Sequence, residues 1–178
     1  FDKIVGLNGH AVVQGIDGRL ADWQQIARWA KETPGVTSAV PLIDQPLMSS
    51  YNGRVEGILV RGMRVSDIRN NSTIGQKVVA GSLADLKPGT NRVAIGARLA
   101  EALGATVGSE ITLINPSGQS TPFGTVPRYV SYTVAAIFEI GVYDYDKAYV
   151  IMPMEDAQTL LLMGDTVGMV ELQTDNPD

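Results

Sequence analysis

Few side chains in this sequence are of the kinds that do chemistry, and their spacing does not bring them together. His10 is the one histidine, and there is no cysteine. A zinc site of the usual kind needs several imidazole or thiolate ligands, so none is expected; disulfides are excluded outright. A lone His10 reads as a polar residue in the first strand or beside it. No Gly-x-Ser-x-Gly occurs, so there is no nucleophile elbow. Asp144 and Asp146, within Val142-Tyr143-Asp144-Tyr145-Asp146, are a candidate pair of carboxylates for acid–base work or for a hard cation. A calcium loop needs more oxygen ligands and a glycine at its bend. The pair is instead expected in a tight turn, an aspartate accepting backbone N–H groups. A hydrolase built on it would need a polar cleft with shifted pKa values. The glycines from Gly96 to Gly108 match neither phosphate-binding pattern. Asn70-Asn71-Ser72-Thr73 holds glycosylation sequons, a signal too short to carry function. No catalytic residue, metal ligand or cofactor is expected.

The composition narrows the partners. The 178 residues carry a net charge of −5, and no Lys/Arg-rich run appears. A basic stripe would be needed to neutralise nucleic-acid phosphates or to hold anionic lipid headgroups, so neither partner is expected. With 44% hydrophobic and 19% charged residues, the chain has the make-up of a folded globular protein with a real core. No stretch is apolar for long enough to span a bilayer. The chain begins at Phe1 and is expected to be a fragment of a longer protein, which itself can be a membrane protein.

Local patterns then give the elements. Phe1 to Ile16 reads as extended chain, with a turn at Gly15 to Gly18. Asp22 is a plausible N-cap, and Trp23, Ile26, Ala27 and Ala30 recur at helical spacing until Thr33-Pro34-Gly35 stops the helix. Val36 to Leu42 is a strand. Met48 to Arg61 is a hairpin around Asn52-Gly53. Val65 to Val79 is weakly patterned. Arg92 to Ile95 is a strand, and Ala97 to Leu103 a helix capped by Gly104. Strands follow at Ile111 to Ile114 and Tyr132 to Ile140, and a turn at Gly141 to Asp146. Tyr149 to Met152 is a strand, Glu155 to Met163 a helix starting near Pro153, and Val167 to Gln173 the last strand, with a break at Pro177. The two ends share a strand–helix–strand order, and the middle is β-rich with one helix. The reading is an α+β fold: one part built from residues 1–64 and 147–178, and a β-rich insertion over 65–146.

One segment is out of place. Pro116-Ser117-Gly118-Gln119-Ser120-Thr121-Pro122-Phe123-Gly124-Thr125-Val126-Pro127 links two good strand patterns with far more chain than a simple hairpin requires. It carries no charge and one large apolar residue, Phe123, and Arg128 follows it. Its three prolines lower the cost of ordering it. Phe123 is either an exposed protein-binding anchor on a stiff loop or a side chain tucked into its own domain.

Several stretches resemble the periplasmic part of LolC/LolE-type lipoprotein-releasing permeases, of the wider MacB-like group. They are Val93-Ala94-Ile95-Gly96, Leu103-Gly104, Val107-Gly108, Ile111-Thr112-Leu113, Phe138 through Asp146, Ala148-Tyr149 and Glu155-Asp156-Ala157-Gln158. The resemblance implies a domain between the first two membrane helices of an inner-membrane permease, facing the periplasm. It implies a porter-like α/β subdomain from both chain ends and an inserted β-rich subdomain called Sabre. The implied partners are a separate LolD-like ATPase, a second permease subunit that is LolE-like or identical, the lipoprotein substrate, and the periplasmic carrier LolA. In LolC-type subunits a hairpin loop, the Hook, grips LolA beside a polar Pad. Pro116 to Pro127 resembles the Hook, one residue shorter here. A Pad arginine four residues before the loop's first proline is replaced by Thr112, and Arg128 stands where a Pad arginine follows the loop.

Overall fold

The computed structural model describes residues 2–7, 10–15 and 17–174, and of residues 2–7, 10 and 72 the backbone alone. The expectations for the His10 side chain and for a break at Pro177 lie outside what is described. The chain divides into two compact units: residues 1–43 with 163–178, and residues 44–162.

The first unit takes both chain ends. It contains β1 (Asp2–Leu7), β2 (His10–Gly15), α1 (Trp23–Glu32), the start of β3 (Val36–Tyr51) and, from the other end of the chain, the last strand, Met169–Thr174. That last strand lies between β2 and β3, antiparallel to both, so the two ends close one sheet. Trp23, Ala27 and Ala30 are buried along α1 at spacings of three and four, the stripe a surface helix turns to its core. The Trp23 indole N–H is satisfied by the carbonyl of Asp165 at 2.9 Å. α1 ends at Glu32, just before Thr33-Pro34-Gly35.

The second unit holds the rest of β3, then β4 (Arg54–Met63), α2 (Val65–Asn70), α3 (Ser72–Gly75), β5 (Val78–Gly81), a 3-10 turn at Leu83–Asp85, β6 (Arg92–Gly96), α4 (Ala97–Leu103), β7 (Glu110–Thr121), β8 (Gly124–Phe138), α5 (Tyr143–Ala148), β9 (Tyr149–Pro153) and α6 (Met154–Leu160); the Met169–Thr174 strand is β10. The β3–β4 turn has Asn52 at φ 49° and Gly53 at φ 81°, the two positive values that a two-residue hairpin turn asks of an Asn-Gly pair. Gly104, at φ 75°, donates its N–H to the carbonyls of Ala100 and Glu101 at the end of α4, as its position after Leu103 predicts.

The strand pairing of this unit closes on itself. β3 pairs with β4, β4 with β9, β9 with β6, β6 with β8, β8 with β7, and β7 with β3 again through Met48–Ser50 and Thr112–Ile114. A closed ring leaves few free edges and encloses an apolar interior, with Val60, Val93, Ile111, Leu113, Val134 and Val150 fully buried. The ring needs β4 and β9, which is why the compact units divide at 43/44 and 162/163, whereas the sequence reading drew its boundaries at 64/65 and 146/147. α2 and α3 occupy the weakly patterned stretch, and residues 143–148 form a short helix rather than a simple turn. The last helix spans Met154–Leu160, shorter than the expected Glu155 to Met163.

Candidate functional site

β7 and β8 run on past the ring as a two-stranded arm. Residues 111–114 were expected to be one strand and 132–140 another, joined by a long loop. Instead β7 extends to Thr121 and β8 begins at Gly124, with Gln119–Val126, Ser120–Thr125 and Thr121–Gly124 as the outermost pairs. Only Pro122 and Phe123 remain in the turn. Thr121 holds it: its hydroxyl donates to the Gly124 carbonyl at 2.7 Å and accepts from the Phe123 N–H at 3.2 Å. Gly124 sits at φ 113°, a conformation that an L side chain strains to adopt.

No residue from Pro116 to Pro127 is buried. Phe123 is 100% exposed at the tip, so it is not tucked into its own domain. Val126 and Tyr129 are also exposed along β8. No charged residue interrupts the arm between Asn115 and Arg128. An aromatic ring on a short, cross-braced turn has little conformational freedom left to lose. The hydroxyls of residues 116–127 have no His, Asp, Glu or Lys within the same segment to activate them.

The two expected Pad residues are not brought together. Thr112 pairs with Ser131 and Arg128 with Asn115. Successive residues of a strand point to opposite faces, so Thr112 shares an outward face with Tyr129 and Ser131. Arg128 lies on the other face with the buried Asn115, and its Nε is buried without a hydrogen-bond partner. Asn115 and Tyr129 were not singled out from the sequence, although Asn115 directly precedes a proline, a recognised turn signal.

The remaining chemical candidates are structural. Asp146 is 2% exposed, and its two carboxylate oxygens accept the N–H groups of Ile140 at 2.8 Å and Gly141 at 2.9 Å. Asp144 is exposed beside it. Gly96 is forced by the same turn, because a Cβ there would overlap the Asp146 carbonyl. Among the described residues no group of three or more His, Cys, Asp or Glu is placed to hold a metal ion. Asn71 uses its side-chain oxygen to accept the N–H of Ile74. No described helix is long and apolar enough to cross a membrane.

The profile of the MacB-like periplasmic core domain matches residues 5–178. The chain belongs to the MacB-like periplasmic core domain family. Within it the chain is LolC-like: it is 32% identical over 175 residues to the lipoprotein-releasing system transmembrane protein LolC of Neisseria meningitidis serogroup B, covering 98% of this chain and 42% of that protein. LolC of Xylella fastidiosa is 30% identical over 168 residues, covering 94% of this chain and 40% of its own length. The chain thus spans about two fifths of these relatives. Among solved structures, the extracellular domain of the ABC-type transporter YknZ aligns with a TM-score of 0.61 at 17% identity, covering 89% of this chain and 75% of that one. The periplasmic region of MacB from Actinobacillus actinomycetemcomitans gives 0.60 at 10% identity, covering 96% and 76%. At such identities these two speak for the fold, and the mixed α+β class of this MacB-like domain is the one expected.

Proposed function

We propose that this MacB-like domain is the periplasmic part of the permease subunit of an ABC transporter that releases lipoproteins from the inner membrane, and that its β7–β8 arm receives the periplasmic carrier, a LolA-like protein. The observation that carries the reading is Phe123, fully exposed on a cross-braced two-residue turn at the end of an uncharged arm. The resemblance of Pro116 to Pro127 to the Hook of LolC-type subunits and the identity to LolC over nearly the whole chain support it. The domain's role on this reading is mechanical: Phe123 and the flanking prolines enter an apolar pocket of the carrier and exclude water. ATP is hydrolysed by a separate LolD-like subunit that acts through the membrane part. A second permease subunit, LolE-like or identical, completes the transporter, and the lipoprotein is handed to the carrier held on the arm. The porter-like subdomain is then the part built from both chain ends, and the Sabre-like subdomain the β-rich insertion.

Calorimetry of this chain with the LolA-like carrier of the same organism tests the proposal. Binding that is lost when residues 117–126 are replaced by a short Gly/Ser turn supports it. An intact fold with no binding turns the reading to the alternative, a MacB-like export permease that docks another periplasmic partner.

A further inference from the structure

Between the pairs Asn115–Arg128 and Gln119–Val126, β7 has three residues, 116–118, and β8 has only Pro127. Surplus residues in one strand bend the ribbon and break its ladder, leaving backbone groups to be satisfied elsewhere. A bend without other support is a hinge. Here it is clamped by Asn115, which is 6% exposed. Its Oδ1 accepts the N–H of Ser117 at 3.2 Å. Its Nδ2 donates to the carbonyl of Leu160 at 3.2 Å. Leu160 is the last residue of α6, so its carbonyl has no donor within the helix. One amide therefore caps a helix and closes the bulge at the root of the arm. Gly118 lets the strands touch there: a Cβ would lie 2.5 Å from the Val126 carbonyl oxygen and 2.6 Å from the Arg128 nitrogen.

We propose that Asn115 is a positioning residue that locks the angle of the β7–β8 arm to α6 and so fixes where Phe123 is presented. The benefit to binding rests on the carrier-receiving reading above; the lock itself does not. The role requires an amide. Aspartate accepts from Ser117 but cannot donate to Leu160, and it sets a negative charge against that carbonyl.

The chain has no cysteine, so paired spin labels at Phe123→Cys and Glu101→Cys report the arm against α4. Both positions are exposed and lie in residues 44–162. A single narrow distance peak is expected in the labelled parent. Asn115→Ala and Asn115→Asp are each expected to lose it. Ser49→Ala is the control for general loosening, since it removes a buried hydroxyl that donates to the Glu56 carbonyl at 3.0 Å. Asn115 variants that keep the narrow peak overturn the proposal, as does a Ser49→Ala protein that broadens it equally. Should neither Asn115 variant fold, Asn115→Gln carries the test: a single but displaced peak is expected, and an undisplaced one overturns the lock. Carrier binding is not read here, so this result and the calorimetric one stand or fall separately.

Discussion

Asp44 and Arg61 meet through both ends of their charged groups: Arg61 Nε donates to Asp44 Oδ1 at 2.8 Å and Nη2 to Oδ2 at 2.7 Å. The pair joins β3 to β4 inside the ring-forming unit. The guanidinium also lies 5.0 Å from the centroid of the Tyr149 ring, and Tyr149 stacks on Tyr145 at 4.1 Å. Burial disfavours the cation, but the hydrogen bonds and charge of Asp44 outweigh it, so Arg61 stays charged throughout the accessible pH range.

The first prediction follows from that geometry. Lysine keeps the charge but has neither the fork nor the flat face. Arg61→Lys is expected to cost about 1–2 kcal/mol, below the full range of about 1.5–3 kcal/mol for a bond to a charged group because the pair is partly exposed and lysine keeps one contact. Urea unfolding checks this. A loss below about 0.5 kcal/mol would class the pair with ordinary surface salt bridges.

Asp146 is predicted to hold the fold rather than to act on a substrate. Asp146→Ala leaves the N–H groups of Ile140 and Gly141 unpartnered in a part-buried turn. The Ile140 donor, half-buried, costs up to about 1–3 kcal/mol when orphaned, and the exposed Gly141 donor, which water can reach, costs less, so a thermal midpoint lowered by a few degrees is expected. Asp144→Ala, at an exposed position, is expected to move it by no more than about 1–2 °C, as surface changes do. Equal effects from both would contradict this assignment.

These cases show what was legible in the sequence. Asn52-Gly53, Thr33-Pro34-Gly35 and Gly104 each carry their turn or cap in their own backbone preferences, so those boundaries could be read locally. The ring could not, because it depends on Met48–Ser50 meeting Thr112–Ile114, pairings that no local pattern encodes. The arm was hidden for a different reason. Pro116 to Pro127 lacks the apolar alternation of a strand, and its pairing comes from backbone bonds and the Thr121 brace. Which face Thr112 and Arg128 take follows only once the register across the bulge is known.

Asp156 gives a pH dependence with a definite sign. Its Oδ1 accepts the Gly89 N–H at 2.8 Å, while Oδ2 is buried without a partner. Burial raises its pKa, the Gly89 bond opposes the rise, and the charge of Glu155 adds to it. A carboxyl whose folded pKa lies above its unfolded one contributes stability below the unfolded value and loses it as pH rises through the folded value. Asp156→Asn keeps an acceptor for Gly89 and removes the buried charge. The variant is expected to be more stable than the parent at neutral pH and to lose less stability between about pH 4 and pH 7. Paired thermal melts across that window decide it; a parent that gains stability over the same window would reverse the sign.

The arm separates binding from folding. Phe123 buries nothing within its own chain, so Phe123→Ala is expected to leave stability within about 0.5 kcal/mol of the parent. If the ring is the anchor of the carrier complex, truncating it removes a hot spot of about 2 kcal/mol or more, a weakening of about 30-fold or more in Kd. Gly118→Ala should behave in the opposite way. Its new Cβ meets backbone on β8 rather than a yielding side chain, and overpacking of that kind costs about 1–3 kcal/mol. The outer rungs Gln119–Val126 to Thr121–Gly124 stand beyond that point and can open without unfolding the ring. Amide exchange in residues 119–126 is therefore expected to quicken in Gly118→Ala while exchange in β6 and β9 does not. Faster exchange throughout the 44–162 unit would mean that the root of the arm is part of the ring's own core.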